Sequence, residues 1–122
     1  MTAIMVLDDN QRMVDVLCET LEFLGYQTLW GRDGLEGIDL LSNANPLPDL
    51  IICDMRMPRM GGQSFIALSR IREEWSLIPV LILSGSNFRN VADRIPNVEF
   101  MEKPYRVSKL NEVIQNLLAS QS

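Results

Sequence analysis

Histidine is absent from the chain, and cysteine occurs only twice. Without histidine the commonest general base is missing, and with it the usual nucleophilic triads. Cys18 and Cys53 are isolated from each other and each lies in an apolar run. Such a pair argues against a structural zinc site and reads as reduced packing residues. Any metal here should be a hard cation with oxygen ligands. Basic charge is in short supply: 11 Lys and Arg against 16 Asp and Glu leave a formal net charge of -5. That argues against a broad grip on nucleic acid or on an anionic membrane. No apolar run approaches the length of a membrane span. Met1-Thr2-Ala3 leads straight into an apolar stretch, with no basic segment and no cleavage site, so the cytosol is the expected location. Repeats, low-complexity tracts and linkers are also missing.

What remains is 122 residues, 47% of them hydrophobic, which suits one domain over 1–122 with one core. Ile4-Met5-Val6-Leu7 reads as a buried strand. The following stretch puts Met13, Leu17, Leu21 and Leu24 on one helical face, and Gly25 ends it. Thr28-Leu29-Trp30 is a second strand, and Asp33 caps a helix carrying Leu35, Ile38 and Leu41. Leu50 to Cys53 is a third strand, introduced by Pro46 and Pro48; a helix with Phe65, Leu68, Ile71 and Trp75 follows. Val80 to Leu83 is the fourth strand, Asn87 to Ile95 a short helix stopped by Pro96, and Val98 to Met101 the fifth strand. Leu110, Val113, Ile114 and Leu117 mark a last amphipathic helix. Strands that read as continuous apolar runs, alternating with helices, predict an α/β fold: a parallel sheet covered on both faces and doubly wound. In such a fold the site lies beyond the carboxyl ends of the strands.

Polar residues fall at those ends. Asp8 and Asp9 follow the first strand, Asp54 ends the third, Ser84 the fourth, and Lys103 closes the fifth just before Pro104. Three carboxylates brought together raise one another's pKa values, and a divalent cation relieves the repulsion. Mg2+ takes few protein carboxylates, keeps several waters and favours phosphate oxygens. The cluster therefore reads as half of a Mg2+–phosphoryl site. Asp54 is the candidate nucleophile toward phosphorus, Lys103 balances charge on the phosphoryl oxygens, and Ser84 donates to one of them. Gly85 leaves room for the group to enter. Gly61 and Gly62 suggest a turn into the third helix, and Arg70, Arg72 and Lys109 read as solvated surface.

V-L-D-D-N at 6–10, D-M-R-M-P-R-M-G-G at 54–62, L-S-G at 83–85 and K-P-Y at 103–105 together resemble the receiver domain of two-component response regulators, along essentially the whole chain. The resemblance implies a flavodoxin-like fold, strand order 2-1-3-4-5 with five helices. It implies that Asp54 is the phosphoacceptor, Asp9 a direct metal ligand, and Asp8 a ligand through metal-bound water. The backbone carbonyl of Arg56 would complete the protein ligands. Ser84 and Lys103 would contact the phosphoryl group, Phe100 would be the switch aromatic, and the Lys103–Pro104 peptide would be cis. It implies Mg2+ as cofactor, a histidine kinase or phosphotransfer protein as phosphodonor, and output through a protein partner. Neither direct nucleic acid binding nor membrane association is expected. Apart from self-catalysed phosphorylation and dephosphorylation, no enzyme activity is implied.

Two departures stand out. Ser84 replaces the commoner Thr, and the span from Ser84 to Lys103 is short for the family, which trims the fourth helix. The L-S-G form resembles receivers fused to hybrid histidine kinases. A rival reading, a Mg2+-dependent phosphatase of the haloacid dehalogenase type, asks for an acid two positions after the nucleophile, where Arg56 stands. A second rival is a receiver fold that serves only as a scaffold; the full set of acids, hydroxyl and lysine argues against it.

Overall fold

The computed structural model describes residues 1–85 and 88–120. Five strands alternate with five helices: β1 (Ala3–Leu7), α1 (Gln11–Phe23), β2 (Gln27–Gly31), α2 (Gly34–Asn43), β3 (Leu50–Cys53), α3 (Gly62–Ile71), β4 (Val80–Ser84), α4 (Arg89–Ala92), β5 (Val98–Glu102) and α5 (Val107–Ala119). Every strand pair is parallel, in the order β2-β1-β3-β4-β5. This is the expected flavodoxin-like arrangement. In register, Leu7 lies beside both Gly31 and Cys53, and Ser84 beside Glu102, so the strands finish along one edge.

The three inner strands are apolar on both faces because each face meets helices. Ile4, Val6, Leu50, Ile52 and Leu81 pack with Leu17 and Leu21 of α1 and with Leu110 and Ile114 of α5. Met5, Leu7, Ile51, Val80 and Ile82 pack on the other side with Leu41 of α2 and with Phe65 and Ile66 of α3. The two edge strands differ from the continuous apolar runs expected of them. β2 is mostly half-exposed, and β5 buries Val98 and Met101 but exposes Glu99 and Glu102. An edge strand is covered incompletely, and the outer face of β5 looks toward α4, which is four residues long.

Local chemistry sets the element ends. The Asn10 side chain accepts from the amides of Arg12 and Met13 and caps α1. Gly25 takes φ +100°, and the Tyr26 amide reaches back to the Leu21 carbonyl, a glycine stop of the kind predicted. Asp33 caps α2 by accepting from the Glu36 amide at 2.9 Å.

Three expectations need correction. The third helix stops at Ile71, and Trp75 is buried in the turn beyond it. Its buried face is Gly62, Phe65, Ile66 and Ser69, leaving Leu68 40% and Ile71 77% exposed. Arg70 is half-buried rather than a freely solvated side chain. Its guanidinium donates to the carbonyls of Ile78 (2.8 Å), Pro96 (3.3 Å) and Trp75 (3.4 Å), tying the end of α3 to the starts of β4 and β5. Burial lowers its pKa from the ordinary value. Arg72 and Lys109 are exposed as expected, each beside a glutamate. The short helix expected from Asn87 to Ile95 amounts to Arg89–Ala92; Asn87 itself lies outside the described residues.

Candidate functional site

Four of the five strands deliver polar groups to the shared edge. β1 ends into Asp8 and Asp9, β3 into Asp54, β4 in Ser84, and β5 leads into Lys103. The sheet continues through them: the Asp54 amide donates to the Leu7 carbonyl (2.9 Å) and the Lys103 amide to the Ser84 carbonyl (2.8 Å). The backbone ladder therefore fixes where these side chains start.

Carboxylate oxygens of Asp8, Asp9 and Asp54 all lie within 4.8 Å of one another. Asp8 is buried, Asp54 partly buried and Asp9 exposed. Asp54 Oδ1 accepts from the Met55 amide (2.8 Å) and from Ser84 Oγ (3.0 Å), and stands 3.9 Å from Lys103 Nζ. Asp54 Oδ2 accepts no bond from any described residue. Asp8 Oδ2 accepts from Lys103 Nζ at 3.1 Å, and Oδ1 from the Asn10 amide at 3.0 Å. Burial raises the Asp54 pKa above the ordinary carboxylate value. The Lys103 ammonium opposes this, the Asp8 charge adds to it, and the Ser84 and Met55 donors oppose it. Three oxygen-bearing acids, with sulfur and imidazole absent from the set, fit a hard cation such as Mg2+. The Lys103–Pro104 peptide is cis.

Of the expected residues, Asp8, Asp9, Asp54, Ser84 and Lys103 are brought together. Phe100 is set apart: it pairs with Ile82 in the middle of β5 and is half-buried against the α4 side of the core. The Arg56 side chain is exposed on the loop after Asp54, and its guanidinium lies 5.5 Å from the centroid of the Phe88 ring.

Other residues shape the site although the sequence did not mark them as site residues. Tyr105 is half-buried; burial raises its pKa, and the negative charge of Asp8 adds to the rise. K-P-Y was the signal available for it. Cys53 is fully buried beneath the cluster and donates its thiol to the Asp54 carbonyl at 3.1 Å. Burial, together with the charges of Asp54 and Asp8, pushes this thiol far above its ordinary pKa. The loop from Asp54 to Gly61 is clamped at two points. Arg59 donates to Asp33 at 2.6 Å, and the Gly34 amide donates to the Met60 carbonyl at 2.8 Å. At Gly62 a Cβ would fall 2.3 Å from the Asp54 carbonyl oxygen, so only glycine lets α3 start this close to the site. No sequence signal links Asp33 to Arg59 or Arg56 to Phe88, because the partners are 26 and 32 residues apart.

The sequence profile of the response regulator receiver domain matches residues 4–115, so the chain belongs to that family. It is 28% identical over 119 residues to the polar-differentiation response regulator DivK of Brucella abortus, covering 95% of each. It is 27% identical over 117 residues to the sensor histidine kinase CheAY of Helicobacter pylori, covering 92% of this chain but only 14% of that kinase. Among solved structures, the signal receiver domain of a signal transduction histidine kinase from Syntrophus aciditrophicus superposes with TM-score 0.86 at 30% identity. The match covers 98% of this chain and 92% of that one. The receiver domain of a sensor histidine kinase from Pseudomonas aeruginosa, with a magnesium ion coordinated in its active-site cleft, shares the fold. Its TM-score is 0.86 at 21% identity, with 97% and 98% covered.

Proposed function

We propose that Asp54 takes a phosphoryl group from a histidine kinase or a phosphotransfer protein, and that the modified domain then changes its contacts with a protein partner. The observation that carries this is the asymmetry of Asp54. Two donors and the Lys103 ammonium gather on Oδ1, while Oδ2 is free of described donors. A carboxylate fixed by one oxygen presents the other as a nucleophile. The new bond runs from Asp54 Oδ2 to phosphorus as the bond from phosphorus to the donor nitrogen breaks. Ser84 is already within reach of Asp54 and would donate to a phosphoryl oxygen. Lys103 would leave Asp8 and Asp54 to pair with the incoming charge.

Asp8, Asp9, Asp54 and the Arg56 carbonyl would hold Mg2+, with Asp9 a direct ligand and Asp8 acting through water. When bound, the ion would neutralise the carboxylates and the phosphoryl oxygens. The magnesium in the Pseudomonas relative is in keeping with this. Phe100 would be the switch aromatic, adjusting within β5. The absence of an acid at position 56 weighs against phosphatase chemistry of the haloacid dehalogenase kind. No contact with nucleic acid or membrane is part of this reading. Among the described residues no helix is long and apolar enough to cross a membrane.

Incubation with acetyl phosphate and Mg2+ should add one phosphoryl group to the intact mass, and Asp54→Asn should take none. Labelling of Asp54→Asn equal to wild type would remove the assignment. Asp9→Ala should weaken Mg2+ binding more than Asp8→Ala, since it loses both a charge and a coordination bond. Equal or inverted losses would overturn that ranking.

A further inference from the structure

Arg56 and Phe88 are in contact. Arg56 lies two residues past Asp54, and Phe88 four past Ser84, so the pair joins the loops that follow β3 and β4. The guanidinium carbon stands 5.5 Å from the ring centroid. Phe88 is also the N-cap residue of α4 and packs against the core together with Val91, Ala92 and Ile95. One side chain therefore links the loop carrying Asp54 to the start of α4. Arg56 pairs with no carboxylate among the described residues, so the aromatic face is the partner that holds it.

We propose that Arg56 exchanges partners. It rests on Phe88 while Asp54 is a free carboxylate, and leaves the ring to donate to the phosphoryl oxygens once Asp54 is modified. This rests on the phosphoacceptor reading above. The two states differ in strength. An exposed cation over an aromatic face is weakly held, because water competes for the charge. A phosphoryl group offers anionic oxygens in a geometry that matches the guanidinium fork, and such charge-assisted pairs are stronger. The departure of Arg56 from the ring removes the tie between the β3–α3 loop and the N-cap of α4, so the modification is reported to α4 by a side chain alone. The Arg56 carbonyl stays where it is.

Exchange predicts effects of opposite sign at the two ends of the contact. Beryllofluoride with Mg2+ serves as the phosphoryl mimic, and its binding is followed by fluorine NMR. Arg56→Ala should bind it about tenfold more weakly, because a charge-assisted bond is lost. Phe88→Leu keeps the packing but removes the ring, and should bind it about threefold more tightly, because the competing contact is gone. In the Arg56→Ala background, Phe88→Leu should change nothing. The Phe88 ring protons should shift on adding the mimic to wild type and stay still in Arg56→Ala. Damage to the fold would weaken binding in both single variants and would not produce the sign reversal. Equal affinity in wild type and Arg56→Ala, or weaker binding in Phe88→Leu, overturns the exchange while leaving Asp54 as the acceptor. Failure of wild type to bind the mimic, together with failure to be labelled by acetyl phosphate, overturns both readings.

Discussion

Asp33 uses both carboxylate oxygens: Oδ1 accepts from the Glu36 amide at 2.9 Å, and Oδ2 from the Arg59 guanidinium at 2.6 Å. Burial of this side chain opposes its charge, but the Arg59 bond and the amides of Glu36 and Leu35 win and hold the pKa below the usual carboxylate range. The folded pKa is therefore below the unfolded one, which is about 3.9. Its stabilising contribution is complete above that value and disappears as pH falls through the folded pKa. Asp33→Ala should cost about 1 kcal/mol at neutral pH, the usual loss of a helix cap. Asp33→Asn keeps the cap and loses the charge, so its melting temperature should fall less steeply than wild type as the medium is acidified below about pH 4. Parallel melting curves for the two proteins across that range would contradict the assignment. Arg59 itself sits at φ +61°, with the Met60 amide bonded to the Pro58 carbonyl across it. A side chain in that region is unfavourable on its own, and the bond to Asp33 is what favours it here. Asp33 was legible as a cap because capping is local. Its partner was not legible, because nothing near Asp33 in the chain points to a residue 26 positions away.

Helix periodicity was readable where one stripe dominated. Val14, Leu17 and Leu21 in α1, and Leu110, Ile114 and Leu117 in α5, lie where spacing put them or one position away. In α3 two stripes compete. Phe65, Leu68, Ile71 and Trp75 form one, and Gly62, Phe65, Ile66 and Ser69 the other. The close approach of Gly62 to the Asp54 carbonyl and to Met55 sets the rotation of the helix in favour of the second. α4 shows a different limit. The apolar residues in and around it, Phe88, Val91, Ala92 and Ile95, do pack on the core, all of them only partly buried. Four residues make about one turn, below the length at which a helix sustains itself. Amide hydrogen exchange should therefore be faster in residues 89–95 than in any other described helix, and should change there when beryllofluoride binds. Protection equal to that of β3, unaltered by the mimic, would contradict this.

Across the whole molecule, the sheet is what makes the site. Parallel strands all finish at one edge, so residues from positions 8, 54, 84 and 103 become neighbours without any loop having to carry them there. That convergence was legible from sequence because each polar group sits directly after an apolar run. The clamps around it were not, since they join loops whose relative placement depends on the finished fold. The same convergence gives the centre of the sheet a built-in stopwatch. The Cys53 thiol lies at the end of the central strand β3, next to Asp54, and only its thiolate reacts with an alkylating reagent. With its pKa pushed far up and no exposed surface, it should be alkylated only when β3 comes loose. Half-buried Cys18 should be alkylated first, and the lag before Cys53 follows measures how often the interior opens. Ligation of Mg2+ at the carboxylates should lengthen that lag, because binding favours the closed form. Equal trapping rates for the two thiols would contradict the protection of Cys53, and a Cys53 rate indifferent to Mg2+ would show that opening of β3 is not coupled to metal binding at the carboxylates.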